Sequence, residues 1–189
     1  GIFFHSPWAF FKMDTFFSYS KWCRYVAPFK GSQPNKTNLN FNFVSNNWIN
    51  AQQKINEESK DVRFFKTHSI REISNKYFTD QTVCLGFIYV VRDPRDIAIS
   101  YTHHCGGDLN VAIETMLYNN KNYASHHKTN ELISTWKQHL SSWDKFNSVP
   151  RLFIKYEDML DNTKKILLHI KTIMMKLKES QQFCRHNIQ

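Results

Sequence analysis

Apolar residues along the chain alternate between short continuous runs and longer stretches at helical spacing. Residues 85–91, LGFIYVV, are apolar, β-branched and aromatic throughout, the pattern of a strand covered on both faces in a parallel sheet. Residues 62–65 and a run starting at Leu152 predict two further strands. Trp48, Ile49, Ala51, Gln52 and Ile55 predict an amphipathic helix that Asn46 or Asn47 can cap and that ends near Ser59. Ile70, Ile73, Tyr77 and Phe78 predict a short helix before the strand at Leu85. Pro94 suits a first helical turn, Asp93 can cap it, and Ile97, Ala98 and Tyr101 supply a packing face. Asp108 is placed to cap a helix with Val111, Ala112, Met116 and Leu117 inward, followed by a polar loop over 119–130. Asn130 is expected to cap the next helix, whose Leu132, Ile133, Trp136, Leu140 and Trp143 recur at helical spacing. After a turn at Val149-Pro150 and the last strand, Asp161 is expected to cap a final helix with Ile166, Leu167, Ile170, Ile173, Met174 and Leu177 on one face. Strands alternating with helices predict an α/β fold, a three-layer arrangement with a mostly parallel sheet flanked by helices.

Residues 1–31 break this rhythm, being rich in Phe, Trp and Tyr without sustained periodicity. Their expected role is packing, in preference to an acceptor-pocket wall or a membrane-facing patch. Gly31-Ser32-Gln33-Pro34-Asn35 reads as a breaker, and an Asn-rich stretch follows to Asn42. The expected organisation is an aromatic-rich N-terminal segment and polar linker over 1–45, an α/β core over 46–180 and a C-terminal tail over 181–189. With 189 residues, 41% of them apolar, one core is expected. Cys23, Cys84, Cys105 and Cys184 share no paired spacing, which favours a reduced compartment. No stretch approaches the roughly 20 apolar residues of a membrane span, and the aromatic start lacks the features of a secretory leader. A cytoplasmic location is expected.

Candidate chemistry gathers where the strand at 85–91 meets the next helix. Ligands in open α/β sheets sit outside the carboxyl ends of strands, and helix N-termini attract anions. Arg92 and the first turns of that helix therefore make a phosphate seat, to which Ser100 can donate a second bond. The formal charge of +9 agrees with an anionic partner, whether nucleotide or nucleic acid. Arg92 has a structural alternative as ion-pair partner of Asp93, Asp96 or Glu157, and Ser100 as a helical serine bonded to its own backbone. Glu157 and Asp158, being adjacent, are poorly placed to converge on one atom and read as loop-fixing carboxylates. His103, His104, Cys105, His126 and His127 lack metal-ligand spacing, and no metal is expected.

Three ordered segments carry a resemblance to a known family. Phe64-Phe65-Lys66-Thr67-His68, the segment from Leu85 through Arg92-Asp93-Pro94 to Ser100-Tyr101, and Leu152-Phe153-Ile154-Lys155-Tyr156-Glu157-Asp158-Met159 resemble, in order and approximate spacing, segments of sulfotransferases that use 3′-phosphoadenosine 5′-phosphosulfate (PAPS). This resemblance implies a P-loop-NTPase-like sulfotransferase core and transfer of a sulfuryl group to a hydroxyl or amine on a small molecule or glycan, without metal. It implies that His68 is the general base, that Lys66 stabilises the transferring group, that Arg92 and Ser100 hold the 3′-phosphate and that Tyr156 lies near the adenine. Imidazole chemistry suits the first role, since it titrates near neutrality. Period two on an extended segment puts Lys66 and His68 on one face.

The family's N-terminal loop, similar to Tyr-Pro-Lys-Ser-Gly-Thr-Thr-Trp, and its later segment near Gly-Asp-Trp-Lys have no counterpart in the sequence. The expectation is an incomplete core that transfers sulfate far more slowly than a complete relative. The alternative is an inactive nucleotide- or nucleic-acid-binding module, suggested by Lys164, Lys165, Lys171, Lys176 and Lys178 on the last helix. A nucleotide-kinase-like fold is disfavoured, because it needs a Gly-x-x-x-x-Gly-Lys loop and does not account for Lys66-Thr67-His68. Specific nucleic-acid binding is not expected.

Overall fold

Parallel pairing organises the chain. The computed structural model describes residues 2–5, 41–58, 62, 64–103, 106–118, 122–123 and 131–186. Strands β1 (Ile2–His5), β2 (Phe64–Thr67), β5 (Gly86–Val91) and β8 (Arg151–Lys155) form one sheet in the order β2-β1-β5-β8, every pair parallel. Two small antiparallel pairs accompany it: β3 (Glu72–Ile73) with β4 (Lys76–Tyr77), and β6 (Asn122–Tyr123) with β7 (Glu131–Leu132). The helices are α1 (Phe41–Asn46), α2 (Trp48–Glu57), α3 (Pro94–Thr102), α4 (Leu109–Tyr118), α5 (Trp136–Asp144), α6 (Tyr156–Asp161) and α7 (Thr163–His186).

Alternate residues of β5 feed two separate cores, because successive side chains in a strand point to opposite faces. Phe87 and Tyr89 join Trp48, Ala51 and Ile55 of α2, Trp143 of α5, and Phe65, Phe78 and Phe146. Phe87 stacks on Phe146 with centroids 5.7 Å apart and lies 5.0 Å from Trp143. On the other face, Ile88 and Val90 pack with Ile154 and Met159, against which Ile166 and Ile170 of α7 lie. These two cores make the expected three layers. Gly86 allows the close approach at the start of β5, where an added Cβ would lie 2.8 Å from the Pro150 carbonyl oxygen.

Several local expectations shift. Ile70 to Phe78 is not a short helix; Ser74 and Asn75, both with positive φ, turn β3 into β4. Such two-residue turns match strand twist, and the apolar spacing imitates a helix only by coincidence. Leu132 belongs to β7, and the helix after it begins at Trp136, capped by the Thr135 hydroxyl accepting from the Gln138 N–H at 3.2 Å. Asp161 closes α6 and does not cap α7. Asp108 does cap α4, accepting from the Asn110 N–H at 2.8 Å, but of the four expected inward residues only Ala112 is buried. Val111 and Leu117 are exposed. Ile2–His5, inside the segment without readable periodicity, is an interior strand; IFF is too short an apolar run to separate from the aromatics around it.

Candidate active site

All four parallel strands finish on one edge of the sheet, so the residues just beyond their ends are gathered there. His68 follows β2, Arg92 follows β5, and Tyr156 follows β8 as the first residue of α6. The register aligns Thr67, His5 and Tyr89. His68 and Arg92 are thus two strand spacings apart, about 10 Å across the sheet.

Arg92 and Tyr156 are brought into contact. The guanidinium carbon lies 4.7 Å from the centre of the Tyr156 ring, a cation–π arrangement. The Arg92 Nε is buried and has no hydrogen-bond partner among the described residues. Buried polar groups are nearly always paired, so an orphaned guanidinium donor marks a place where an acceptor belongs. None of the expected carboxylates supplies it. Asp93 pairs instead with Arg95, at 2.6 Å from Asp93 Oδ2 to Nη2, and its other oxygen accepts from the Arg95 N–H at 2.9 Å as the cap of α3. The Arg95 side chain first, and its backbone N–H second, hold the Asp93 carboxyl down to about 2. Glu157 accepts from the Asp93 N–H at 3.1 Å, tying the turn after β5 to the start of α6, the loop-fixing role expected of it.

Ser100 lies half-buried in α3, six residues beyond the first. Its hydroxyl has no hydrogen-bond partner among the described residues, whereas Thr102 bonds back to the Ala98 carbonyl at 2.9 Å. No hydrogen bond joins Ser100 to Arg92 among the described residues. Lys66 is exposed between buried Phe65 and Thr67, the alternation expected of β2, and His68 is half-buried. Among the described residues no cluster of three or more His, Cys, Asp or Glu could hold a metal ion. His104, Cys105, His126 and His127 lie outside those residues. The Cys84 thiol is buried and pushed up to about 11 by that burial, as befits a small core residue.

Sequence reasoning missed the group that holds the segment after β2. Helix α5 aims three side chains at its backbone. His139 Nε2 lies 3.2 Å from the His68 carbonyl oxygen, and the Trp143 indole N–H donates to the Ser69 carbonyl at 3.1 Å. The Ser142 hydroxyl accepts from the Arg71 N–H at 3.1 Å. On its other side, His139 Nδ1 is 3.0 Å from the Tyr89 hydroxyl. A polar residue between Trp136 and Trp143 on an apolar helical stripe was the available signal.

Burial, opposed by hydrogen bonds to the backbones of His68 and Ser69, pushes His139 down to about 4. A stability consequence follows. Because the folded pKa is depressed, the unfolded chain takes up a proton first as pH falls below about 6.5, and stability declines until the folded state is protonated near 4. This single group is expected to remove on the order of 3 kcal/mol across that window. Urea unfolding of wild type and His139→Gln at pH 7.5 and 4.5 checks it: the variant should lose less stability on acidification, and equal losses would contradict the assignment.

The architecture is a parallel α/β core that gathers on one sheet edge a histidine and an arginine whose Nε lacks a partner among the described residues. The sulfotransferase domain model matches residues 8–181, and the chain belongs to that family. Sulfotransferase 1B1 of Canis lupus familiaris is 30% identical over 122 residues, covering 64% of this chain and 40% of the relative. The structure of mouse sulfotransferase SULT7A1 complexed with PAP aligns with a TM-score of 0.47 and 17% identity, over 95% of this chain and 62% of the other. The chain thus spans about two fifths of its dog relative and three fifths of the mouse structure. No helix among the described residues is long and apolar enough to cross a membrane.

Proposed function

We propose that the chain is a PAPS-dependent sulfotransferase module acting on a hydroxyl or amine of a small molecule or glycan. The buried Arg92 donor without a partner among the described residues, on the same sheet edge as His68, is the observation that supports this reading most. In the proposal Arg92 holds the 3′-phosphate through charge-assisted bonds, Ser100 adds a single bond, and Tyr156 backs the guanidinium beside the adenine. His68 takes the acceptor proton as oxygen or nitrogen attacks sulfur. The bond from sulfur to the bridging phosphate oxygen breaks, Lys66 stabilises charge on the transferring group, and adenosine 3′,5′-bisphosphate leaves.

The separate roles of Arg92 and His68 give a binding test. Hydrogen bonds to charged groups contribute about 1.5–3 kcal/mol each, so Arg92→Ala should weaken adenosine 3′,5′-bisphosphate binding roughly 10- to 150-fold in calorimetry. His68→Ala should change it little. Equal losses in the two variants would reject the division of labour. A nucleic-acid module would instead bind generic RNA with steep salt dependence and ignore the bisphosphate.

A further inference from the structure

We propose that His139 is a positioning residue for His68, holding the main chain of the base through its Nε2–H while the Tyr89 hydroxyl donates to the other ring nitrogen and keeps the imidazole in that orientation. This rests on His68 being the acceptor base. The hydrogen placement follows from the partners. The His68 carbonyl oxygen can only accept, so His139 Nε2 must donate across the 3.2 Å contact. In the neutral ring Nδ1 is then the acceptor, and the Tyr89 hydroxyl, 3.0 Å away, donates to it. A directed chain thus runs from Tyr89 in the middle of the sheet, through the imidazole, to the peptide of His68.

The site is built for that hydrogen arrangement. His139 is 3% exposed, and a protonated ring would require the Tyr89 hydroxyl to turn and accept from Nδ1–H, ending its donation to the ring. Burial disfavours the imidazolium, which keeps the acceptor available on Nδ1. Burial also pushes the Tyr89 phenol up, so it remains a donor at physiological pH. The neighbouring Trp143 bond to the Ser69 carbonyl keeps the following peptide in place, so loss of the His139 contact releases the His68 peptide while the rest of the turn stays anchored. Small misplacement of a reacting group costs about 10²-fold in rate.

The test uses the whole chain and two kinds of readout. Long-range ¹⁵N spectra of the histidine rings at pH 7 should show His139 neutral with hydrogen on Nε2, and Tyr89→Phe should move the Nδ1 resonance, which loses its hydrogen-bond donor, while the hydrogen stays on Nε2. The ¹³C carbonyl resonance of His68 should move in His139→Ala and return toward wild type in His139→Gln, whose amide can donate to the same carbonyl. In single turnovers with radiolabelled PAPS and 4-nitrophenol as probe acceptor, His139→Ala should be slower by roughly 10- to 100-fold. Its bisphosphate affinity should stay within about twofold of wild type, and His139→Gln should recover most of the rate.

An Nδ1–H tautomer in wild type, an unmoved His68 carbonyl in His139→Ala, or a His139→Gln rate as slow as that of His139→Ala overturns the proposal. Where His139→Ala does not fold, His139→Leu, which keeps side-chain bulk without a donor, carries the same readings. Undetectable wild-type turnover leaves the spectra to decide the hold on His68. A fully active His68→Ala would overturn the base assignment, and with it the catalytic part of the inference, while the carbonyl shift still decides whether His139 holds the peptide.

Discussion

His68→Ala is expected to slow sulfuryl transfer by about 10²–10⁴-fold in single-turnover measurements with radiolabelled PAPS, the range general-base catalysis supplies. The loss should lie in the chemical step. Arg92, two strands away, keeps its contact with Tyr156 in this variant, so donor binding should persist. His68→Gln should be as slow as His68→Ala, because an amide retains polarity but accepts no proton at working pH. A rate within threefold of wild type in both variants would remove His68 from the chemistry and leave the edge of the sheet with a nucleotide seat alone.

Trp143→Ala should produce the largest loss of stability. The side chain is fully buried, with Phe87, Phe78 and Tyr89 around its ring at centroid distances of 5.0, 6.4 and 6.5 Å. Truncating a buried aromatic to alanine costs about 3–5 kcal/mol. It also strips the Ser69 carbonyl of the indole donor, a further ~1–3 kcal/mol if that carbonyl stays dry. Against a typical total of about 5–15 kcal/mol, the variant should unfold at far lower urea. Trp143→Phe isolates the second cost, since it retains most of the packing. Were Trp143→Ala to unfold at the wild-type midpoint, the first core could not depend on this ring as its geometry requires.

Strands β2, β5 and β8 were legible because both faces of the sheet are covered, which leaves apolar runs at Phe64-Phe65, through β5 and over Leu152 to Ile154, whereas β1 was not. Asp93-Pro94 was legible as a helix start because cap chemistry is local: the carboxylate reaches an N–H two residues on. The hairpin at β3 and β4 was not, since its turn uses Ser74 and Asn75 where glycine would have been the clear signal. The strand Glu131–Leu132 was hidden by an apolar spacing that suited the helix beside it.

The candidate site divides in the same way. Arg92 stood out because a charged residue directly ends an apolar strand, and its contact with Tyr156 brings together residues far apart in sequence but adjacent across β5 and β8. The hold of α5 on the turn after β2 could not be read from spacing. His139, Ser142 and Trp143 acquire their meaning only from a backbone about seventy residues earlier, and backbone carbonyls leave no trace in a sequence.

The place of β1 bears on how the molecule assembles. Ile2 pairs with both Phe64 and Gly86, so the sheet is completed by a strand that must enter between two partners from much later in the chain. Long-range pairing of this kind slows folding, since loop closure is penalised before the ladder bonds form. Until that insertion happens, β2 and β5 each show a bare row of amides and carbonyls, a surface that recruits strands from other molecules. Yield on refolding should therefore fall steeply with protein concentration, and dilution or a holdase chaperone should restore it.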